Sequence, residues 1–283
     1  MLVTLCSAAG SPGVTTTALA LALNWPRPVV LVEADPSGSS GLLAGYLRGQ
    51  LDPPGLVDLV IAQRSDLLAD AVPKLLYPLD RSNASVLFGL RSHEQAAGAA
   101  SLWPPLLEVL HGLEAAATDV IVDAGRLGVP GWPQPLLAAA DVMLLVARSD
   151  LPGLAGARSW SATLAREDSP GHAVRLLLVG EGSPYSAREV ARTLGVPVLG
   201  SIEWSRELAR VYSHGRPLPG LPWWRRVGRG PDAQVEAFED SAFVRSVLST
   251  AGAVRSLGEA SMPTPLRSVL ARAAAGNDRR SMA

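Results

Sequence analysis

Short apolar segments, each followed by small or acidic residues, alternate with helical segments along residues 1–216. These segments are short and almost entirely apolar, so we expect each one to be a strand buried on both faces. Buried strands joined by helices form a parallel sheet, because the right-handed crossover places each helix against one face. The pattern therefore predicts an α/β fold with a mainly parallel twisted sheet and helices on both faces.

The segments define the predicted elements and three regions of the chain. Strands are predicted at residues 1–7, 29–32, 85–90, 119–122, 142–147, 174–179 and 196–202. Helices are predicted at residues 15–23, 55–63, 66–76, 95–117 with a break at 103–105, 155–166, 186–194 and 233–254. Residues 1–216 are predicted to form the α/β domain. A Pro/Trp/Arg-rich segment with a helix, residues 217–257, is expected to pack on or beside it, and residues 258–283 are expected to form a flexible tail.

Composition excludes several classes of protein. The formal net charge is −1, so attraction to nucleic acid or membrane would have to come from a local patch. The single cysteine, Cys6, excludes an internal disulfide framework and suits a reducing compartment. No run approaches the ~18 apolar residues of a spanning helix, and no basic segment precedes the first apolar run. These features predict a cytoplasmic protein.

A loop of small residues follows the first predicted strand and precedes the first predicted helix. It has the P-loop frame G-x-x-G-x-T-T, in which backbone N–H groups and the helix N-terminus bind phosphate oxygens. The hydroxyl of Thr15 stands where a P-loop residue ligates Mg²⁺. The candidate nucleotide-binding residues are Gly10, Ser11, Pro12, Gly13, Val14, Thr15 and Thr16.

The loop lacks the lysine that normally follows its second glycine. Val14 occupies that position, and Lys74 is the only lysine in the chain. The alternative interpretation is a tight strand-to-helix turn that contains glycine and threonine for conformational reasons alone.

Five stretches in order resemble the MinD/ParA family of ATPases. Residues 9–16 are similar to a degenerate form of its deviant Walker A motif, K-G-G-x-G-K-T-T. Residues 29–38, V-V-L-V-E-A-D-P-S-G, resemble the second strand and switch I, and residues 119–125, D-V-I-V-D-A-G, resemble the Walker B strand. Residues 140–146 and 194–202 are similar to two later strands of the family.

The resemblance implies a role for each matching residue. The loop would bind the phosphates of ATP, and Thr15 together with Asp123, acting through water, would hold Mg²⁺. Asp35 would orient the attacking water, and Glu33 replaces the other acid of that pair. Two alternatives stay open: Asp123 could cap a loop, and Asp35 before Pro36 could form a turn.

Two departures from the family pattern affect catalysis. Val14 replaces the Walker lysine, and Ala9 replaces the signature lysine that the family extends across its dimer interface. Phosphoryl transfer depends on neutralising charge on the γ-phosphate, so hydrolysis is expected to be very weak or absent. The leading hypothesis is a positioning or partition-type scaffold, either regulated by nucleotide or independent of it. The alternative is an active ATPase that cycles between monomer and ATP-bound dimer. It would act in chromosome partitioning, or in placing complexes at the cell pole, at the septum or in a secretion apparatus.

Partner predictions follow from the family and from the C-terminal region. We expect a homodimer and an unidentified protein partner. A cluster rich in tryptophan and arginine could contact DNA or a membrane surface, or the tryptophans could instead fold back on the domain. The cluster consists of Trp223, Trp224, Arg225, Arg226 and Arg229. Apolar residues at helical spacing, Leu266, Val269 and Leu270, would favour peripheral membrane attachment, with a disordered tail as the alternative.

Overall fold

The computed structural model describes residues 1–167, 172–220 and 232–261. It contains an eight-stranded sheet in the order β3-β4-β2-β5-β1-β6-β7-β8. Only β3 runs antiparallel to its neighbour, β4; every other pair is parallel. The predicted fold class is therefore confirmed.

The strands agree with the predicted apolar runs and add one edge strand. They are β1 (Leu2–Ser7), β2 (Val29–Glu33), β3 (Tyr77–Pro78), β4 (Ala84–Leu87), β5 (Asp119–Arg126), β6 (Val142–Arg148), β7 (Ala173–Val179) and β8 (Val198–Ile202). The two-residue β3 carries no periodic signal, which is why the sequence pattern missed it.

Eleven helices lie within the described residues, together with a π-helical turn at Leu42–Tyr46 and a 3₁₀ turn at Ala100–Leu102. They are α1 (Val14–Leu23), α2 (Leu56–Gln63), α3 (Leu68–Leu75), α4 (Glu94–Ala99), α5 (Trp103–Ala115), α6 (Gln134–Ala138), α7 (Leu151–Glu167), α8 (Ala187–Leu194), α9 (Arg206–His214), α10 (Ala233–Glu239) and α11 (Ala242–Ser261). None of these helices is long and apolar enough to cross a membrane.

Two apolar layers enclose the sheet, one on each face. One layer holds the buried residues of α2 to α8, and the other holds those of α1, α9 and α11. Alternation along β5 illustrates the division: Val120 and Val122 face the first layer, whereas Ile121 faces the second. Side chains two residues further along the strand keep the same face, so Asp123 faces the α1 layer.

Some helix boundaries differ from the sequence prediction. The prolines at 104 and 105 occupy the first turn of α5, where a missing N–H costs little, so they begin a helix at Trp103 rather than break one. Helices α6 and α9 and the π-helical turn were not predicted, and the predicted helix at 233–254 is divided into α10 and α11. The last helix, α11, packs on β8 and α1 and continues to Ser261, past the expected start of the tail at residue 258. The Trp/Arg cluster 223–229 and residues 266–270 lie outside the described residues.

A buried ion pair links β5 to the loop before β2. The carboxylate of Asp119 is 1% exposed and accepts hydrogen bonds from Trp25 Nε1 at 2.8 Å and Arg27 Nε at 3.0 Å. Burial alone would raise the pKa of Asp119, but the hydrogen bonds from Arg27 and Trp25, together with the charges of the Met1 ammonium and Arg27, outweigh it and lower the pKa. Since the folded pKa is depressed, the pair stabilises the fold above the unfolded pKa and loses that effect as pH falls through the folded pKa.

We expect Asp119→Asn to lower the free energy of unfolding at pH 7 by about 2–4 kcal/mol, because Arg27 and Trp25 lose a charged acceptor. Urea unfolding at pH 7 and below pH 4 measures the effect, and the difference from wild type should shrink at the lower pH. The exposed Asp70→Asn is the control, with an expected change within about 0.5 kcal/mol. A destabilisation by Asp119→Asn no larger than that of the control would contradict the assignment.

Candidate functional site

The loop between β1 and α1 is shaped by two glycines in the left-handed region. Gly10 has φ 69° and Gly13 has φ 99°, conformations that side chains with a Cβ rarely adopt. No side chain among the described residues caps the start of α1, so its first N–H groups stay open to a ligand. Pro12 lacks an N–H, so it removes one donor that a typical phosphate-binding loop could supply.

Thr15 lies in the first turn of α1, where it meets the segment that follows β2. A Cβ placed on Gly41 would lie 3.1 Å from Thr15 Cγ2 and 3.7 Å from its Oγ1. The close approach favours a small residue at position 41, and it brings the segment that follows β2 against the loop. Thr15 itself is partly exposed.

Asp123 is the most buried acid at this edge of the sheet. It is 1% exposed, its Oδ1 accepts from the Gly125 amide at 3.1 Å, and its Oδ2 has no hydrogen-bond partner among the described residues. Burial raises the pKa of Asp123 to about 7, the nearby Thr15 hydroxyl opposes the rise, and the charges of Glu33 and Asp35 add to it. The Thr15 hydroxyl therefore stabilises the carboxylate, although it does not make a hydrogen bond of ordinary geometry to Oδ2.

An unpartnered carboxylate oxygen beside a hydroxyl fits the donor set that Mg²⁺ requires. Among the described residues, no group of three or more His, Cys, Asp or Glu side chains could hold a metal ion on its own. The two donors, Thr15 and Asp123, therefore suit a magnesium ion that keeps most of its waters and takes other ligands from a bound phosphate.

Glu33 lies directly beside Asp123, because β2 and β5 pair these two residues. Its carboxylate is buried and accepts hydrogen bonds from Ser40 Oγ at 2.6 Å, the Leu42 amide at 3.2 Å and the Gly89 amide at 3.1 Å. Burial raises the pKa of Glu33, and these hydrogen bonds oppose the rise. Glu33 thus holds the start of the π-helical turn against the segment that follows β4, with both of its oxygens already engaged.

Asp35 combines the turn-forming role with a position at the site. Its Oδ1 accepts from the Ser37 amide at 2.8 Å, which stabilises the turn after Pro36. Its carboxylate also packs against Gly125, where an added Cβ would lie 2.3 Å from Asp35 Cγ. Gly125 has φ 63°, so glycine is required there for both conformation and space.

The two positions that lack lysine are packed against other parts of the chain. Val14 is 7% exposed and belongs to the apolar layer that contains α1. The Cβ of Ala9 lies against helix α7 at Gly156, where an added Cβ would lie 2.3 Å from it. Lys74 lies on α3, which packs against α2 and α5 in the opposite layer.

Three arginines that the sequence analysis did not connect with the loop lie beside it. Arg148, at the end of β6, lines a cavity of about 480 Å³ together with Ala9, Gly10, Ser11 and Pro12. Arg206 and Arg210, on α9, line a neighbouring cleft of about 300 Å³ that also includes Ser11, Gly13 and Trp204. The only signal for these contacts is topological: β6 and β8 end at the same edge of the sheet as β1.

In the absence of divalent metal, the free energy of unfolding should depend on pH because Asp123 titrates. Because its folded pKa is raised from 3.8 to about 7, the folded state holds a proton that the unfolded state has released, and stability falls as pH rises across this interval. We expect Asp123→Asn to be more stable than wild type at pH 8, by at most about 4 kcal/mol at about 1.4 kcal/mol per pKa unit. The difference should close toward pH 4.

Urea unfolding in a chelating buffer at pH 5 and pH 8 measures this slope. The exposed Asp80→Asn is the control and should keep the wild-type slope. A lower stability of Asp123→Asn at pH 8, or an unchanged slope, would show that the buried carboxylate is not the titrating group.

The chain was compared with known proteins. No protein-family model matches the chain, and no curated protein matches it at the sequence level. Solved structures do match. The cell division ATPase MinD of Pyrococcus furiosus has a TM-score of 0.64 at 18% identity, covering 90% of this chain and 98% of that chain.

Two further structures extend the similarity. The septum site-determining protein MinD of Pyrococcus horikoshii, complexed with Mg-ADP, has a TM-score of 0.66 at 17% identity and covers 92% of this chain and 98% of that chain. A ParA family ATPase of Chlorobium tepidum has a TM-score of 0.62 at 14% identity, with coverages of 88% and 96%. The chain therefore has the fold of the MinD and ParA ATPases along nearly its whole length.

Proposed function

We propose that this protein is a positioning or partition-type protein of the MinD/ParA kind that binds a magnesium nucleotide and hydrolyses it very slowly. The observation that carries the proposal is the arrangement at the end of β1. An uncapped helix N-terminus and the Thr15 hydroxyl lie next to Asp123 with its unpartnered Oδ2, whereas an apolar side chain stands where a cation is needed for catalysis.

Binding and catalysis place different demands on this site. Backbone N–H groups at the start of α1 can hold phosphate oxygens without any side-chain charge. Bound Mg²⁺ would neutralise part of the charge on those oxygens, with Thr15 as a direct ligand and Asp123 acting through water. Stabilising the transition state requires a further cation on the transferred phosphoryl group, and Val14 offers none.

The cleft beside the loop supplies a place for the rest of a nucleotide. Its volume is about 300 Å³, and its walls include Trp204 and the first turn of α9 at Ser205 and Arg206. An aromatic face at the edge of such a cleft suits a nucleobase, because base–aromatic stacking is favourable for any base, and the solved structures of this fold include an ATP complex. We therefore assign ATP with Mg²⁺ as the ligand of the site.

The biological role would come from binding rather than turnover. Nucleotide would order the segment around Gly41 against Thr15, and that surface would be recognised by a second copy of the chain or by another protein. One solved structure of this fold is a MinC:MinD cell division protein complex, in which MinD has a protein partner. Contact with DNA or membrane through the 223–229 cluster remains part of the proposal.

An active ATPase is the second candidate, and one observation favours it. Thr15, Asp35 and Asp123 are brought together at one edge of the sheet, where Asp35 packs against Gly125 and Asp123 faces Thr15. The Ser37 amide binds Oδ1 of Asp35, so Oδ2 is the oxygen that would orient an attacking water.

We expect the purified protein to bind ATP with Mg²⁺ in isothermal titration calorimetry. Thr15→Ala should weaken binding by about tenfold, since a metal-ligating hydroxyl is lost. Thr193→Ala removes an exposed hydroxyl on α8, away from the loop, and should leave the affinity unchanged. Absence of binding by the wild type would mean that the fold acts without nucleotide.

Restoring the lysine should strengthen binding. We expect Val14→Lys to bind ATP at least about tenfold more tightly than Val14→Met, a variant of similar side-chain length without charge. The methionine control is needed because Val14 is buried, so any longer side chain disturbs packing. Equal affinities for the two variants would place position 14 away from the phosphates.

Hydrolysis by the wild type should be very slow or undetectable in a phosphate-release assay at saturating ATP. The physical reason is the missing cation at positions 9 and 14. Ordinary enzymes turn over at about 1 s⁻¹ or faster. ATP hydrolysis at such a rate by the wild type, abolished in Asp35→Asn, would instead support the active ATPase.

A further inference from the structure

We propose that Arg148, at the carboxyl end of β6, supplies the cation for bound phosphate that the loop itself lacks. The inference rests on the proposed function, because it assigns a residue to the phosphates of the same ligand. Arg148 lies outside the loop and outside every stretch of sequence that resembles the family. Its position follows from strand register, side-chain contacts and a shared cavity.

Strand register brings Arg148 beside the start of the loop. Strands β1 and β6 are parallel neighbours, and Ser7 pairs with Val146. Two residues further along each strand are Ala9, where the loop begins, and Arg148, where β6 ends. Since parallel strands end at the same edge of a sheet, the side chain of Arg148 lies where ligands of α/β sheets bind.

Two contacts hold the guanidinium of Arg148 in place. Its Cζ lies 4.3 Å from the centroid of the Trp204 ring, and its Nε donates to Asp150 Oδ2 at 2.9 Å. The other oxygen of Asp150 accepts from the Gly153 amide at 2.9 Å in the first turn of α7, so Asp150 is itself anchored. The guanidinium is therefore oriented before any ligand arrives, which lowers the entropy lost on binding.

The contacts leave the two terminal nitrogens of Arg148 available. Within the described residues, neither Nη1 nor Nη2 makes a hydrogen bond, and the side chain is partly exposed at 44%. Two parallel N–H donors are the fork that binds phosphate oxygens in bidentate fashion. Arg148 uses only its Nε and the guanidinium face that lies over Trp204, so its two terminal N–H donors remain available for phosphate.

The cavity next to Arg148 opens onto the loop backbone. It holds about 480 Å³ and is lined by Ala9 to Pro12 on one side and by Arg148, Asp150, Pro152 and Gly153 on the other. Asp150 also faces this space, and its charge opposes an anion. Both of its oxygens are already used, by Arg148 and Gly153, so the free donors in the cavity are those of Arg148 and the loop.

Arg206 and Arg210 are the competing cations. They line the neighbouring cleft, which includes the later loop residues Ser11 to Gly13 and continues along Thr16 and Thr17 of α1. Among the three arginines, only Arg148 shares a cavity with Ala9 and Gly10. It is therefore the one expected to act on phosphate, whereas Arg206 is expected to act on the rest of the nucleotide.

The test compares the affinity of two probes for four proteins by calorimetry: wild type, Arg148→Gln, Arg158→Gln and Arg206→Gln. The probes are ATP and inorganic tripolyphosphate, each with Mg²⁺. Arg148→Gln should lower the affinity for both probes by about ten- to a hundredfold, which is the loss expected when charged hydrogen bonds are removed. Arg158→Gln removes an exposed arginine from α7 in a groove away from the loop, and should have no effect.

Thermal unfolding of each variant provides a second readout. The midpoint for Arg148→Gln should stay near that of the wild type, because an exposed cation–π contact contributes little to stability. A fifth protein, Arg148→Lys, keeps the charge but not the two parallel N–H donors, so it should bind both probes more tightly than Arg148→Gln and less tightly than the wild type.

Each other outcome has a defined meaning. Wild-type binding that Arg148→Gln leaves unchanged would overturn the role of Arg148 and leave the proposed function intact. If Arg148→Gln lowered the affinity for ATP but not for tripolyphosphate, the assignment of Arg148 to phosphate would also be overturned. The same holds if Arg206→Gln lowered the affinity for tripolyphosphate as much as Arg148→Gln does. No binding of either probe by the wild type would overturn this inference together with nucleotide regulation.

Discussion

The common carboxyl edge of four neighbouring strands is the constraint on which the candidate site depends. Strands β2, β5, β1 and β6 are parallel and adjacent, so Glu33, Asp123, the loop after Ser7 and Arg148 all reach the same edge. The hydrophobic layers on both faces fix the sheet, and the sheet fixes which chemical groups meet. The loop after β1 matches the P-loop motif only in part, but the sheet still holds it in a defined position beside Asp123 and Arg148.

Burial is what gives the acids at this edge different properties. Asp123 faces the α1 layer, has one unpartnered oxygen and has its pKa raised to about 7, first by burial. Glu33, its neighbour across the β2–β5 pair, is equally buried but satisfied by three hydrogen bonds from Ser40, Leu42 and Gly89. One carboxylate is thus available to a metal ion, whereas the other organises the chain around it, although the two occupy paired positions in adjacent strands.

The fold could be predicted from sequence because its signals are local. Apolar runs such as Val29–Glu33 reveal buried strands, and the glycines at 10 and 13 mark a turn that needs positive φ. Elements that depend on tertiary contacts were missed, such as β3 and the π-helical turn held by Glu33. The same limit applies to the site: the motif indicated the loop and its acids, but the approach of Arg148 and of α9 depends on strand order, which no local pattern encodes.

The residues at positions 9 and 14 also determine how the loop packs. An apolar Val14 joins the core of the α1 layer, and Ala9 allows Gly156 of α7 to pack closely on the start of the loop. A lysine at either position would have to extend from these packed sites into solvent or toward a ligand, at a cost in side-chain entropy. The present residues instead stabilise the loop in the free protein. A loop stabilised by packing loses less conformational entropy when a ligand binds to it, so this packing would favour the phosphate binding that we propose.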